Sequence, residues 1–481
     1  MRGWVRGGEC CSANDDLNHD PMLFKAEPIA VKADDPFRHD SLQRRTQVRN
    51  LSLLLKEAPG SVICAVDAPW GAGKSTFLRL LRAEMEGQLH PTLWLDAWES
   101  DFVEDPLIAL LAEMSEWITS DPDGEAAELL KTTQWLAPRL RRPGSRVASR
   151  IPGDRERAAP PQEASEAEAP TDEEWGSAQV REYSEGKQAL IVFRQSLERY
   201  ARLREAEGAR LPIVFFVDEL DRCRPDYAIR VLERIKHLFA VPGISFVIGM
   251  NREQLGHAIK AVYGSGFDSD AYLERLLDVG FRLPSVKGER YVRHLADAVG
   301  LRSACRRRDP EAEAAVIAVV ESLVSLRALT PKVQKRCIGE VAVILRTAPE
   351  EASFPAAVLA LLVVVRNLKQ DLYYSYLRGE TGAETLLDFV EGGMSGPFTL
   401  PDELGPTLRG YLYGLSRRKG EAAKRREALR QAADGEAPSS EDDEATLELR
   451  CIEAAAETPG MLRELADFIE FAGDLTWESP A

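Results

Sequence analysis

Apolar and polar positions along the chain follow two alternating periods. Ser61-Val-Ile-Cys-Ala-Val-Asp67 is a short apolar run ending at a turn, the pattern of a strand buried on both faces, and Leu211-Pro-Ile-Val-Phe-Phe-Val217 is the most strand-like run of all. Thr92-Leu-Trp-Leu-Asp-Ala-Trp98, Ile244 to Gly249 and Val279 to Leu283 read as further strands. Between them the spacing becomes helical. Phe77, Leu78, Leu81 and Met85 share one face opposite Arg79, Arg82 and Glu84. Ala228, Leu232, Ile235 and Phe239 do the same after Pro225, whose fixed φ suits a first helical position. Pro106 to Trp117, Gln188 to about Leu203 and Asp270 to Leu277 complete the helical set. Strands separated by helical crossovers predict a parallel sheet covered on both faces, a three-layer α/β fold.

Beyond residue 285 strand signals fade, so a mainly α-helical C-terminal domain is expected. The boundaries read as a flexible arm over 1–34, an α/β domain over 35–284, a helical domain over 285–430, and an acidic hinge with C-terminal helices over 431–481. The hinge is Ser439-Ser-Glu-Asp-Asp-Glu444. Inside the α/β domain, residues 119–187 are first basic (Arg139, Arg141, Arg142, Arg146, Arg150) and then rich in Pro, Ala and Glu. With almost no large apolar side chain this insert buries no core; it reads as a solvated linker or a charged tether. The longest apolar stretch, Ala356 to Val365, is about half of the roughly 20 residues a spanning helix needs, which predicts a buried helix and no membrane span.

Composition narrows the function. At 481 residues, 44 % apolar and 29 % charged, the chain is globular and long enough for two or three domains. A formal net charge of −17 argues against binding nucleic acid through overall charge and leaves only local basic faces, such as Arg417-Arg-Lys419 and Lys424-Arg-Arg426. The seven cysteines (Cys10, Cys11, Cys64, Cys223, Cys305, Cys337, Cys451) are scattered without a C-x-x-C pair. They suggest neither a disulfide framework nor a zinc site and fit a reducing cytoplasm. No apolar run of signal-peptide length follows Met1, so a cytoplasmic location is expected.

Candidate chemistry gathers at strand ends. Ala68-Pro69-Trp70-Gly71-Ala72-Gly73-Lys74-Ser75-Thr76 follows the first buried strand, opens an amphipathic helix, and matches a phosphate-binding loop with Ala68 at its first position. Small residues there let backbone N–H groups converge on phosphates, while the lysine reaches the β- and γ-phosphates and the hydroxyl ligates Mg²⁺. The start of the helix adds its positive end. Trp70 either shields the phosphates or packs. Asp218-Glu219 would supply one carboxylate for Mg²⁺ and a second to orient and deprotonate the attacking water, the alternative being an acidic turn that ends a strand. Asn251, at the tip of the next strand, is either a hydrogen-bonding partner for the γ-phosphate or water, or an ordinary polar turn residue. Arg275 is an arginine finger for a neighbouring subunit or part of a solvated helix face. Arg336 reports nucleotide state from the helical domain or is likewise solvated. His237 and His257, without acidic partners at ligand spacing, read as structural.

Six segments then align with a known family. Asp40-Ser-Leu-Gln-Arg44, Pro69-Trp-Gly-Ala-Gly-Lys-Ser75, Leu95-Asp-Ala-Trp98, Asp218-Glu-Leu-Asp-Arg-Cys-Arg-Pro225, Ile235-Lys-His-Leu-Phe239, and Tyr272-Leu-Glu-Arg275 leading to Phe281-Arg-Leu-Pro284 resemble the KAP family of P-loop NTPases over about 35–285. The resemblance implies an additional-strand, ASCE-type ATPase core related to the AAA+ and STAND groups, with ATP favoured over GTP. It places Lys74 and Ser75 on phosphate and Mg²⁺, Asp218 and Glu219 on Mg²⁺ and water, and Asp40 to Arg44 near the base. Many bacterial members look like parts of phage-exclusion or signalling systems, and many carry transmembrane helices between the two Walker motifs. The polar insert departs from that pattern and suggests a soluble variant. Ala68, Glu219 and Asn251 stand where the family often has Gly, Asp and Asp; the last two move the site toward the AAA+ pattern and favour hydrolysis. The expectation is an Mg²⁺-dependent ATPase acting as a nucleotide-driven switch on a protein partner, with a homo-oligomer required if Arg275 is a finger. An ATP-gated scaffold with little turnover and a nucleic-acid remodeller are the alternatives.

Overall fold

The computed structural model describes residues 35–38, 40–58, 60–119, 124, 127–129, 131–132, 172–284, 288–306, 312–327, 329–349, 351–391, 404–433 and 440–474. The expected arm over 1–34, the basic run Arg139 to Arg150, and Cys10 and Cys11 lie outside the described residues. The chain divides into two units between residues 285 and 286.

The first unit is built on a five-stranded parallel sheet of β1 (Ile63–Asp67), β2 (Thr92–Asp96), β3 (Ile213–Asp218), β4 (Ile244–Met250) and β5 (Val279–Arg282), in the order β2-β3-β4-β1-β5. Each predicted strand is present. β4 stands between β1, which precedes the glycine-rich loop, and β3, which carries the acidic pair, so the additional-strand arrangement is observed. The apolar runs are uninterrupted because the sheet is covered on both sides, and successive side chains alternate between the layers. Ile63, Ala65, Phe215, Val217, Phe246 and Ile248 enter one core. Cys64, Val66, Val214, Phe216 and Val247 enter the other. Phe215 stacks on Phe246 in the first layer and Trp94 on Phe216 in the second. Helices α1 (Arg45–Glu57) and α2 (Lys74–Glu86) cover the second layer, the latter through Phe77, Leu78, Leu81 and Met85 as its spacing predicts. Helices α3 (Pro106–Thr119), α4 (Asp172–Ala206), α5 (Pro225–Leu238) and α6 (Arg252–Tyr263) close the first, with α7 (Ser269–Leu276) leading into β5.

Register brings the carboxyl ends of the strands level: Asp67 pairs with Met250, and Asp96 with Asp218. Loops leaving that edge of a parallel sheet converge on one crevice, where ligands bind in open α/β sheets.

One boundary differs from the expectation. Helix α4 begins at Asp172, inside the segment read as linker, rather than near Gln188. Asp172, Glu173 and Glu174 put an acidic run in its first turn, a composition that favours a helix start.

In the second unit the described residues form eleven helices and no strand, from Gly288–Ala298 to Met461–Asp474. Its core centres on helix Ala356–Leu368, whose residues Ala357 to Val365 are all buried. The long apolar stretch is therefore an interior helix, and no helix among the described residues is long and apolar enough to cross a membrane. Of the segment read as an acidic hinge, Ser440 to Glu444 open helix Ser440–Glu457. In the basic stretch, Arg417, Arg418, Lys419 and Lys424 are exposed or nearly so, whereas Arg425 is bound to Glu448 at 2.6 and 2.9 Å.

Candidate functional site

The loop Ala68–Gly73 turns sharply between β1 and α2. Gly71 and Gly73 have φ of 76° and 88°, a region costly for any residue with a Cβ. At Gly73 a Cβ would also lie 2.8 Å from Leu42 Cδ1, so the segment Asp40–Arg44 rests against the loop. Asp40 fixes that segment by accepting the backbone N–H groups of Arg44 and Arg45, each at 2.9 Å. Arg44 itself is buried; its Nη1 donates to the Pro284 carbonyl at 2.7 Å, while Nε and Nη2 have no partner. Burial pulls its guanidinium below the ordinary arginine range.

Lys74 starts α2 with its ammonium turned back over the loop, 2.8 Å from the Ala68 carbonyl and 3.6 Å from Asp221 Oδ2. Ser75, one residue on, is the hydroxyl neighbour that draws the Asp218 carboxyl down. Asp218 is 2 % exposed, and its Oδ1 accepts the Glu219 N–H at 2.9 Å. Desolvation raises its pKa despite those partners, and Asp96 beside it raises it further. Ser75 and Asp218 are thus brought together where α2 meets the end of β3. Ser75, a hard hydroxyl oxygen, and Asp218, a hard carboxylate, form a donor pair of the type Mg²⁺ takes alongside phosphate and water.

Glu219 occupies the left-handed region at φ 57°, where a non-glycine residue is uncommon and such strain clusters at functional sites. Its carboxyl is pushed up to about 7, chiefly by burial; Arg222, 2.7 Å from Oε2, draws it down, and Asp218, Asp96 and Asp221 push it up again. A carboxylate near 7 suits a general base.

The remaining predicted residues fall in different places. Asn251, 8 % exposed at the tip of β4, caps α6 by accepting the Gln254 N–H at 3.3 Å, so its oxygen has a structural role and its amide Nδ2 is the remaining donor. Trp70 is 52 % exposed and donates its indole N–H to Asp221, so it does not pack into the core. Arg275 is exposed on the last turn of α7; its neighbours Asp270 and Glu274 pair instead with Arg252. Arg336 belongs to the helical unit, where its Nε donates to the fully buried Glu340 at 2.9 Å. His237 and His257 are exposed on their helices. Cys64, Cys223, Cys305, Cys337 and Cys451 are buried free thiols.

Two residues escaped the motif reading. Gly249 lies within β4, where a Cβ would be 2.9 Å from Asp218 Oδ1 and 2.7 Å from Leu78 Cδ1. Its missing side chain makes room for the carboxylate, and the available signal was a glycine inside a mainly apolar strand. Asp96, in register with Asp218, orders the loop after β2 by accepting the N–H groups of Trp98 and Glu99 at 3.0 Å. Asp96 lies in the Leu95–Trp98 segment that carries the family resemblance, but nothing in that segment assigned it this role.

A family model for the KAP family P-loop domain matches residues 44–347, more than half of the chain, and the chain belongs to that family. The match continues beyond the sheet into the first helices of the second unit. No curated protein matches the sequence. One similar solved structure is the ORC2 protein of Aeropyrum pernix in ADPNP-ADP complexes; it is 10 % identical, has a TM-score of 0.34, and the alignment covers 95 % of this chain and 99 % of that one.

Proposed function

We propose that this chain binds ATP with Mg²⁺ and hydrolyses it, using the nucleotide state as a switch. The observation that carries the reading is the meeting of Lys74, Ser75, Asp218 and Glu219 at one edge of the sheet, with Ser75 beside Asp218. Backbone N–H groups of the loop and the start of α2 would cradle the phosphates, with Lys74 as the point charge on the β- and γ-oxygens. Ser75 and Asp218 would hold Mg²⁺, which supplies neutralisation of phosphate charge. Glu219 would take a proton from water as its oxygen bonds to the γ-phosphorus; the bond from that phosphorus to the bridging oxygen breaks, and ADP leaves with the electron pair. Arg44, Asn251, Arg275 and Arg336 are proposed in support: Arg44 near the base, Asn251 Nδ2 on phosphate or water, Arg275 toward a second copy, and Arg336 as a reporter in the helical unit. A role in bacterial defence or signalling rests on the family likeness.

The Arg222 contact on Glu219 favours a second reading, a chain that holds ATP and turns it over slowly until a partner acts. Equilibrium binding of a slowly hydrolysed ATP analogue tests the part common to both. Wild type should bind it and Lys74→Ala should not; equal binding by the two would overturn both readings.

A further inference from the structure

The short turn Leu220–Arg222, directly after Glu219, is tied to the site through both of its charged side chains. The Asp221 carboxylate is 2 % exposed; Oδ2 stands 3.6 Å from Lys74 Nζ and accepts the indole N–H of Trp70. Arg222 reaches the other way, with Nη1 2.7 Å from Glu219 Oε2 and its guanidinium 5.5 Å over the exposed Trp98 ring. Consecutive residues of one turn therefore hold the ammonium and the carboxylate that hydrolysis requires.

At Lys74 a buried carboxylate has the chemistry of a phosphate oxygen: anionic, acceptor-only, and strengthened by exclusion of water. The lysine's other acceptor, the Ala68 carbonyl at 2.8 Å, is neutral. A terminal phosphate approaching Lys74 meets a competitor for the same protons and a like charge beside it. We propose that Asp221 is a clamp on the phosphate loop, competing with the terminal phosphate of a nucleotide for Lys74 and anchoring Trp70, so that binding exchanges one anionic partner of the lysine for another. Asp221 thereby sets nucleotide affinity and, through Arg222 on the same turn, couples occupancy of Lys74 to the freedom of Glu219. The inference rests on the phosphate-loop reading and adds a regulation to it.

The test is calorimetric titration of the full chain with a slowly hydrolysed ATP analogue and Mg²⁺. Asp221→Asn removes the competing charge and keeps an oxygen for the Trp70 N–H. It should bind about two- to fivefold tighter than wild type, the upper part of the range expected for one exchanged ion-pair contact. The part of the tryptophan emission change that disappears in Trp70→Phe should shrink in the same variant. Glu99→Gln removes a like charge from the exposed loop after β2, where only the Glu99 backbone is bonded, to Asp96. Equal tightening in Glu99→Gln would reduce the effect to a general field and overturn the clamp, as would unchanged or weaker binding by Asp221→Asn. Should that variant lack a cooperative melt, Asp221→Ser is titrated with the same expectation. Wild type that fails to bind, or binds no better than Lys74→Ala, overturns the phosphate-loop reading itself; Lys74-dependent binding without tightening overturns only the clamp.

Discussion

Gly249→Ala places one methyl group where the site has no room for it. The new Cβ would lie 2.9 Å from Asp218 Oδ1 and 2.7 Å from Leu78 Cδ1, both closer than real Cβ contacts. Leu78 and Asp218 are almost fully buried, so neither can simply swing into solvent. Overpacking of this kind costs ~1–3 kcal/mol, offset by up to ~1 kcal/mol because alanine loses less chain entropy than glycine in a strand. The net loss of stability should be about 0–3 kcal/mol. The functional loss should be larger, since Asp218 must shift by some tenths of an ångström against the Ser75 hydroxyl and the Glu219 N–H. Weakening one hydrogen bond to a charged group by ~1.5–3 kcal/mol corresponds to about a 10- to 100-fold fall in Mg²⁺-dependent phosphate release. Urea melts and phosphate release, measured side by side, check both figures. Leu78→Val in the same chain removes Cδ1 and relieves only the leucine contact, so it should recover part of the stability and none of the activity. Hydrolysis within twofold of wild type, or its recovery by Leu78→Val, would refute the idea that Gly249 exists to seat Asp218.

Three further expectations concern other parts of the molecule. Asn251→Ala should lose ~1 kcal/mol of stability in urea melts through the cap to Gln254, whereas Asn251→Asp keeps the acceptor and the stability; a fall in phosphate release in the second variant would assign a role to the amide Nδ2. His90 is buried with Nδ1 on the Pro212 carbonyl and no partner at Nε2, and burial lowers its pKa below 6.5. The unfolded chain therefore protonates first as pH falls: the stability from the neutral ring is complete above about 6.5 and declines below it, and His90→Gln should flatten that slope in melts from pH 7 to pH 5. Glu340 is fully buried between Arg336 Nε at 2.9 Å and Asn367 Nδ2 at 2.8 Å, with Arg366 nearby. Glu340→Leu removes that acceptor, while Asn367 keeps the Val363 carbonyl and Arg366 keeps Glu470, and should destabilise the helical unit by ~1–3 kcal/mol in thermal or urea melts.

The strands were legible because burial on both faces leaves an unbroken apolar run, and the loop and acidic pair were legible because phosphate chemistry demands small residues, a lysine and carboxylates at fixed places. What stayed hidden depends on contacts distant in sequence. Nothing local in Ile244–Met250 says that it inserts between β1 and β3, yet that insertion puts Gly249 beside Asp218. Asp221 follows the acidic pair in the family segment Asp218–Pro225, and only the turn at Leu220–Arg222 aims it at Lys74. The start of α4 at Asp172 and the helical Ser440 to Glu444 depart from the apolar pattern for a different reason. Polar, acidic segments lack the apolar period by which a helix is recognised, while helix propensity and the helix dipole still favour the conformation.

Steady-state phosphate release with Mg²⁺ and ATP, set beside equilibrium binding of the nucleotide, tests the account most directly when wild type is compared with Glu219→Gln. The glutamine keeps the shape of a side chain whose carboxyl lies near 7 and removes its ability to accept a proton. The account predicts retained binding and a loss of turnover of about 10²- to 10⁴-fold, the usual contribution of a general base. Turnover equal to wild type with binding intact would contradict it.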